Sequence, residues 1–268
     1  MRIVTLLTDF GLEDGYVAAM KGVIAGIAPE ARLVDITHLV PPQDVAFGRF
    51  RLLTVAPYFP PGTVHLAVVD PGVGTARRAV AVRTRSGSFL VGPDNGLLTG
   101  ALEVDPATAA VELSDPRFWR TAEPSATFHG RDIFSPVAAH LARGATLESM
   151  GSALPAGQLV KLDLAPWERI PGGAQGAIQA VDRFGNLISN VPGALLPEHG
   201  EWTASIAGRS VGGHRTYGDV PANEALALVG SHGFVEIAVH RGDARRILGA
   251  GVGDRVQIRW RGDPPGRS

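Results

Sequence analysis

The stretch from Ala67 to Val80, AVVDPGVGTARRAV, carries an aspartate, a glycine-rich turn and two adjacent arginines. Three kinds of chemistry use such a combination. A glycine-rich turn can bind phosphate through its backbone N–H groups, a carboxylate can bind a hard cation, and a positioned carboxylate can orient a small nucleophile. The phosphate interpretation is weak, because the stretch lacks the Lys-Ser/Thr pair of a P-loop and leads into a predicted strand.

Polar residues follow several predicted strands of the N-terminal half, at the point where each strand ends. Ligands of parallel α/β sheets bind beyond the carboxyl ends of the strands, so this set favours a site there. Each residue taken alone is equally well explained as a helix cap or turn residue. A metal site is the minority interpretation, because the set lacks D-x-D or H-x-x-x-H spacing. The set comprises Thr8 with Asp9, Asp35, Asp70, and Asp94 with Asn95.

A histidine follows in the stretch ATFHGRDIFSP. His129 is followed by Gly130 and precedes a predicted helix, where a side chain can face a crevice. Asp132 is more simply a helix cap that pairs with Arg131. A single histidine is most often structural, so His129 gains its weight from the acids described above.

The elements that must position these residues alternate between strand and helix over the first 150 residues. Apolar runs such as RIVTLLTD and TVHLAVVD are typical of buried parallel strands. GYVAAMKGVIAGIAP, DVAFGRFRLLTVAPYF and DIFSPVAAHLARG have the features of helices, and RRAVAVRT with SFLVGPDNG indicates two paired strands. We therefore predict an α/β domain over residues 1–160, with a mostly parallel sheet and flanking helices.

The pattern changes at the Pro/Gly-rich stretch LDLAPWERIPGGAQG. Beyond it the apolar runs are short and strand-like, and turn residues separate them. These runs are AIQAVDRF, NLISNV, EWTASIAG, ALALVG, FVEIAVH and DRVQIRW. We predict a linker over residues 161–172 and a smaller all-β barrel or sandwich over residues 173–268.

The C-terminal half also carries polar candidates. VDRFGNLISNV places Asp182, Phe184 and Asn186 near a strand turn. A phenylalanine ring with an amide suits a purine, whereas taken singly Asp182 and Asn186 are turn residues and Phe184 a core residue. Further candidates lie in RTYGDV and GSHGFVEIAV, namely Tyr217, Ser231, His232 and Glu236.

Composition excludes several classes of protein. The 268 residues contain 25 Lys and Arg against 26 Asp and Glu, so charge does not favour nucleic acid or an anionic membrane as partner. The sequence has no cysteine, which excludes disulfides, thiolate metal sites and cysteine nucleophiles. The start MRIVTLLTDFG lacks the pattern of a signal peptide, and no apolar run is long enough for a membrane helix. We expect a cytoplasmic protein.

Taken together, the motifs resemble those of one family in order and spacing. They are LLTDFG, VDITH, FPPGTVHLAVVDPGVGTARR, GPDNGLL, TFHGRD, VDRFGNLISN and GSHGFVEIAVHRGDA. Over essentially its whole length the chain resembles the S-adenosyl-L-methionine hydroxide adenosyltransferases, relatives of the fluorinase and chlorinase. In that family a nucleophile attacks C5′ of the ribose and expels methionine. Its hydrolases use water and release adenosine.

The resemblance implies a role for each matched position. The family's Asp–Arg–His set falls on Asp70, Arg77 and His129, which we expect to hold the attacking water. The other matched positions are expected to bind substrate. Asp9 matches the residue that binds the ribose hydroxyls, and Thr127 and Phe128 match residues that line the sugar and sulfonium region. Asp182 matches the position for the amino group and Ser231 that for the carboxylate. Near adenine lie the matches Phe184, Asn186 and Tyr217, and the weaker matches are Glu236 and the backbone around Val239.

Departures from the halogenating relatives favour a hydrolase. Those enzymes resemble one another in having tyrosines at the positions of Asp70 and His129, and their halide-contacting threonine and serine correspond to Val73 and Gly130. A halide would find few donors here and would face a carboxylate. His232 stands where the halogenases have arginine, which weakens the assignment of carboxylate binding at that position.

The resemblance further implies S-adenosyl-L-methionine as substrate, no metal or organic cofactor, and a homotrimer. In such a trimer each site lies between the N-terminal domain of one subunit and the C-terminal domain of the next. Arg77 would keep Asp70 ionised by pairing, while its neighbour Arg78 on the same predicted strand should point to the opposite face. The sequence leaves open whether Asp70 or His129 accepts the proton of the water.

Two other functions remain as alternatives. One is a metal-dependent nucleotide hydrolase that uses Asp9, Asp70 and Asp94. The other is a non-catalytic module that binds adenosine or S-adenosylmethionine as a sensor.

Overall fold

A computed structural model describes residues 2–197 and 200–261. The chain divides into two compact units, Met1–Leu162 and Asp163–Ser268. Among the described residues, no helix combines the length and the apolar character needed to cross a membrane.

Within residues 2–162 the first unit forms one seven-stranded sheet with four α-helices. The strands are β1 (Ile3–Thr8), β2 (Arg32–Thr37), β3 (Val64–Val68), β4 (Ala79–Thr84), β5 (Phe89–Pro93), β6 (Ala107–Glu112) and β7 (Ser152–Ala153). The helices are α1 (Tyr16–Ile27), α2 (Val45–Val55), α3 (Thr99–Val104) and α4 (Ser135–Ala142). Short 3₁₀ turns cover Ala56–Tyr58, Pro116–Phe118, Leu147–Met150 and Ala156–Gln158.

The strand order of this sheet is β2-β1-β3-β5-β4-β6-β7. The pairs β2–β1, β1–β3 and β3–β5 are parallel, and β4, β6 and β7 extend the sheet in antiparallel fashion. Alternate residues of a strand face opposite sides, so Leu6 packs with α1 and α4 while Leu7 packs with α2 and α3. Burial on both faces explains the continuous apolar runs. The predicted α/β architecture with flanking helices is confirmed.

The sequence prediction did not include α3, β6 or β7, and two local features also differ from it. β4 begins at Ala79, so Arg77 and Arg78 precede the strand and do not belong to it. The segment before α4 is a π-helical turn, Gly130–Phe134, in which the Ser135 N–H donates to the Gly130 carbonyl. Such turns are rare and are found frequently at functional sites.

In the second unit the described residues form an antiparallel sheet of eight strands and one α-helix. The elements are β8 (Glu168–Ile170), β9 (Gly173–Val181), β10 (Leu187–Pro192), β11 (Trp202–Ile206), β12 (Arg209–Gly212), β13 (Ala225–Val229), β14 (Phe234–Val239), α5 (Ala244–Leu248) and β15 (Arg255–Trp260). Two 3₁₀ turns cover Gly193–Leu195 and Tyr217–Asp219.

The order β12-β11-β15-β9-β10-β14-β13 brings the two ends of this sheet together, because Gly213 forms a bridge with Ala227. The result is a nearly closed barrel, with residues such as Ile178, Val235 and Ile258 in its core. The predicted all-β character is confirmed. Sequence patterns missed β8, which pairs with β9 and lies within the predicted linker, and β12, which is short and polar. They also missed α5, a short helix that the side chain of Asp243 caps at its start.

Candidate active site

Asp70, Arg77 and His129 form one hydrogen-bonded group in the first unit. Arg77 Nε donates to Asp70 Oδ1 and Oδ2, both at 3.0 Å. A terminal guanidinium nitrogen of Arg77 donates to Asp70 as well and lies 2.8 Å from His129 Nδ1. The side chains of Arg77 and Asp70 are only 10% and 6% exposed. Asp70 and His129 lie 7 and 52 residues from Arg77 in the sequence, and the fold brings both into direct contact with it.

The contact with Arg77 fixes the protonation of His129. A guanidinium has donors and no acceptor, so Nδ1 of His129 must accept. Burial lowers the pKa of His129, and the Arg77 charge lowers it further, against the opposing effect of Asp70 and Asp132. His129 is therefore neutral near pH 7 with its proton on Nε2.

The glycine-rich turn serves close packing between two segments of the site. Gly74 has a φ of 77°, and a Cβ at this position would lie 2.7 Å from the carbonyl oxygen of Ala126. A larger residue would push the turn that follows Asp70 away from the segment that leads to His129. The turn thus supports the Asp–Arg–His group rather than forming a phosphate loop.

Asp132 anchors the segment that carries His129. Its carboxylate is fully buried and accepts hydrogen bonds from Arg120, from Arg131 and from the backbone N–H of Ser125. The bonds from Arg131 and Arg120 hold the pKa of Asp132 well below its usual range. The predicted pairing with Arg131 is confirmed, whereas the predicted helix cap is wrong, because Asp132 lies within the π-helical turn. Its bond from Ser125 ties the loop before His129 to that turn.

A cleft of about 400 Å³ opens above this group. Gln43 contributes its backbone N–H, which donates to Asp9 Oδ2 at 2.8 Å. Arg77 contacts Asp70 but does not line the cleft. The cleft brings together five of the residues that the sequence singled out: Asp9, Asp70, Thr127, Phe128 and His129.

An aromatic group forms one wall of the cleft. Phe128 meets the edge of Phe10 at 5.8 Å and that of Tyr16 at 5.1 Å between ring centroids. A Cβ on the buried Gly130 would lie 3.3 Å from both phenylalanine rings, so a larger residue there would require the rings to shift by a few tenths of an ångström. Such rings suit a flat or cationic ligand.

Sequence reasoning missed Phe10, Tyr16 and Gln43. Phe10 was signalled only by its place next to Asp9. Tyr16 begins α1 and resembles an ordinary surface residue of that helix. Gln43 has a φ of 67°, a left-handed conformation uncommon for this residue type, and no sequence pattern indicates it.

Two of the predicted strand-end acids lie elsewhere. Asp35 pairs with Lys21 at 2.6 Å, and the buried Asp94 accepts from Arg78 at 2.8 Å and from the Val160 N–H at 2.8 Å. Neither lines the cleft. Arg77 and Arg78 therefore pair with different carboxylates, although neither belongs to the strand on which their opposite directions were predicted.

In the second unit Asp182 and Asn186 are turn residues, as predicted for each of them taken singly. Asp182 accepts from the backbone N–H groups of Phe184 and Asn186 and from the Asn186 amide, each at 2.9 Å. The interpretation of Phe184 as a core residue is wrong, because the residue is 75% exposed. Its ring is available for stacking.

A second polar group of this unit centres on Glu236, which is buried. Glu236 accepts from the Tyr217 hydroxyl at 2.7 Å and lies 3.0 Å from His232 Nε2. His232 Nδ1 accepts from the Phe234 N–H, so Nε2 carries the proton toward Glu236. Burial raises the pKa of Tyr217, and the bond to Glu236 raises it further.

The two remaining predicted positions differ in exposure. Ser231 lies exposed in the turn between β13 and β14. Val239 is buried in the barrel core, and its carbonyl accepts from the Gly242 N–H at 3.0 Å. A ligand contact at Val239 would therefore involve its backbone.

The three carboxylates of the alternative metal site, those of Asp9, Asp70 and Asp94, bind other groups of the protein. Asp70 and Asp94 are each bound by an arginine, and Asp9 accepts a backbone N–H. Within residues 2–197 and 200–261, no group of three or more His, Asp or Glu side chains is arranged to hold a metal ion.

Comparison with known proteins adds independent findings. Family models described as the SAM hydroxide adenosyltransferase N-terminal and C-terminal domains match residues 4–151 and 176–257. The (R)-S-adenosyl-L-methionine hydrolase of Thermus thermophilus is 46% identical over 96% of this chain and 100% of its own. A fluorinase of Actinoplanes sp. is 32% identical over 70% of this chain and 71% of its own. A crystal structure of a conserved protein from Thermotoga maritima, 36% identical, superposes with a TM-score of 0.88 over 95% of this chain and 99% of its own.

Proposed function

The chain belongs to the SAM hydroxide adenosyltransferase family, and we propose that it hydrolyses S-adenosyl-L-methionine to adenosine and L-methionine. Its 46% identity to a curated hydrolase over nearly the full length supports this function. The observation that carries the proposal is the contact of Asp70, Arg77 and His129 at the base of an aromatic-walled cleft.

The reaction needs a positioned nucleophile more than it needs an acid. The sulfonium of the substrate leaves as a neutral thioether, so its departure requires no proton. Water is a weak nucleophile, and holding it in line with the C5′–S bond lowers the barrier by several kcal/mol, up to about 7–11 in well-oriented systems. The Asp–Arg–His group is suited to that task.

The hydrogen bonds assign a different role to each member of the group. His129 accepts from Arg77 at Nδ1, so its Nε2–H is the group that donates to the water oxygen. Asp70 then accepts the proton as the oxygen bonds to C5′ and the C5′–S bond breaks. The reaction consumes one water and yields adenosine, methionine and one proton, which Asp70 passes to solvent. Of the two residues that the sequence left open as proton acceptor, this division of roles favours Asp70.

Arg77 balances the charge of the site. A carboxylate near the sulfonium stabilises the cationic substrate, and that stabilisation disappears as the sulfur becomes neutral. Only interactions that are stronger in the transition state than in the ground state raise kcat. Pairing Asp70 with Arg77 offsets the attraction of the carboxylate for the sulfonium, which would favour the ground state. The same pairing orients the carboxylate.

The surroundings support water rather than halide as the nucleophile. Asp70 presents a negative charge, and Val73 offers no side-chain donor where the halogenases have threonine. Gly130, in place of their serine, is buried against Phe10 and Phe128. A halide would lose its hydration shell in this site and would find few hydrogen-bond donors to replace it.

We extend the proposal to the second unit and to assembly. Asp182 and Ser231 would bind the amino acid end of the substrate, while the exposed Phe184 ring would stack on adenine with Asn186 and Tyr217 beside it. Glu236 and the Val239 backbone would support this half. The working assembly would be a homotrimer in which the first unit of one subunit meets the second unit of the next. A cytoplasmic location stays a prediction.

Chromatography of S-adenosylmethionine after incubation with pure, EDTA-treated protein tests the function. Adenosine and methionine in equal amounts, with or without added chloride, are the expected products. Loss of activity with EDTA would indicate the metal-dependent hydrolase, and 5′-chloro-5′-deoxyadenosine would indicate a halogenase. Binding without turnover would indicate the sensor.

A further inference from the structure

His38 is a buried histidine that the mechanism does not use. Only 3% of the residue is exposed, directly after β2. Its Nδ1 lies 2.8 Å from the Thr8 hydroxyl, and its Nε2 lies 3.2 Å from Asp35 Oδ1. Asp35 is in turn bound by Lys21. Burying an imidazole is costly unless its polar atoms are engaged, so this arrangement calls for a reason.

His38 is tied at two points to the loop that enters the cleft. The Gly11 N–H donates to the His38 carbonyl at 2.8 Å. The Phe10 N–H donates to Thr8 Oγ1 at 3.3 Å, the same oxygen that contacts the His38 ring. The loop from Thr8 to Gly11 is thereby held from both ends, and it carries Asp9 and Phe10 into the cleft.

The groups on either side of the ring favour one tautomer of His38. The Asp35 carboxylate beside Nε2 favours a proton on that nitrogen, so Nδ1 accepts from the Thr8 hydroxyl, whose oxygen in turn accepts from the Phe10 N–H. The ring proton then resides on Nε2 and faces the Asp35 carboxylate, at ion-pair distance but without hydrogen-bond alignment. The exposed pair Lys21–Asp35 thus biases the tautomer that lets His38 hold Thr8.

A second Thr–His pair in the same sheet provides a contrast. Thr5 and His65 face each other between β1 and β3, with Oγ1 to Nδ1 at 2.9 Å, and His65 is also 3% exposed. This pair lies in the middle of the strands and packs against Phe59, away from the cleft. Both are buried Thr–His pairs joined through Nδ1, but only the Thr8–His38 pair makes hydrogen bonds to the loop that carries Asp9.

We propose that His38 is a positioning residue, which through Thr8 and the loop sets the Asp9 carboxylate for the two ribose hydroxyls of the adenosyl group. The inference rests on the proposed function, in which Asp9 binds those hydroxyls. It predicts that His38 governs preference for the hydroxylated ribose rather than turnover. A merely structural role would not produce that selectivity.

Calorimetry with adenosine and 2′,3′-dideoxyadenosine tests the proposal on the full-length wild type and His38→Leu. Wild type should prefer adenosine by at least about tenfold, since hydrogen bonds to a charged group are strong. His38→Leu should reduce this preference to less than about threefold. It should raise KM for S-adenosylmethionine at least about fivefold with kcat within about twofold. Thr8→Val removes the same contact at nearly constant volume and should change the ribose preference and KM in the same way. It tests the positioning role if His38→Leu does not fold.

His65→Leu is the matched control, because it deletes an equally buried Thr–His pair and should keep the ribose preference. An unchanged preference in His38→Leu and Thr8→Val would overturn the positioning role. An equal loss in His65→Leu would also overturn it, since the effect would then be general loosening. Absence of any preference in wild type would instead refute the role of Asp9, and with it the inference.

Discussion

Arg77 donates to Nδ1 of His129 at 2.8 Å, so His129 cannot take up a proton at that nitrogen without losing the contact. The same guanidinium holds Asp70 through two of its nitrogens. In the proposed mechanism, this one arginine gives His129 and Asp70 opposite roles toward the attacking water, donor and acceptor.

Replacement of Asp70 tests its role as proton acceptor. Asp70→Asn keeps the shape of the side chain but removes the basic oxygen and leaves Arg77 unbalanced. We expect kcat to fall at least about 10²-fold, as for a group that acts in the transition state, and binding of the cationic substrate to weaken by much less. Steady-state kinetics and calorimetry measure the two effects.

Asp94→Asn is the control for that variant, because Asp94 is a buried partner of the adjacent arginine and lies outside the cleft. It should lower the melting temperature and leave kcat near wild type. Equal kinetic losses in both variants would remove Asp70 from the mechanism.

The pH dependence of activity follows from His129. Burial and Arg77 lower its pKa below the ordinary 6.5, so the neutral, active form persists through neutral pH. We expect kcat/KM to be level near pH 7 and to fall as pH drops through the lowered pKa, because protonation at Nδ1 breaks the bond from Arg77. The profile of His140→Asn, which alters a histidine on α4, should match that of wild type. An acid limb centred above pH 6.5 would contradict the proposed state of His129.

Acid should destabilise the fold through His65. Burial lowers the pKa of His65 to about 4, whereas the unfolded chain has about 6.5. Between these values the unfolded state binds a proton that the folded state does not, so stability present above pH 6.5 is lost as pH falls toward 4. The expected loss at pH 5 is about 2 kcal/mol. Urea unfolding at pH 7.5 and pH 5 measures it, and a His65→Gln variant that keeps the full pH dependence would assign the loss to other groups.

Assembly is testable without kinetics. If each site takes one half from each of two subunits, gel filtration with light scattering should give a mass near three times the 28.1 kDa of the chain. An active species with the mass of a monomer would refute the shared site.

Much of the fold was predictable because the central strands β1, β3 and β5 of the first unit are buried on both faces. That burial produces uninterrupted apolar runs, and the ends of β1 and β3 place Asp9 and Asp70 near each other. The barrel was predictable from short runs separated by turns. β12 and α5 were not, because RSVG and ARRIL are too short for their periodicity to register.

The division between site and scaffold was only partly predictable. Asp70 and Asp94 each follow an apolar run, and each binds one of two adjacent arginines. Only the three-dimensional arrangement puts the first pair at the cleft and ties the second to the segment around Val160. Likewise, Gln43 reaches Asp9 because two loops meet, which local sequence does not encode.

Turnover in H₂¹⁸O, followed by mass spectrometry of both products, tests the central claim most directly. Attack of the positioned water at C5′ predicts one ¹⁸O in adenosine, on its 5′ oxygen, and none in methionine. Label in an amino acid product, or release of 5′-methylthioadenosine, would show attack at another carbon of the sulfonium and would contradict the account.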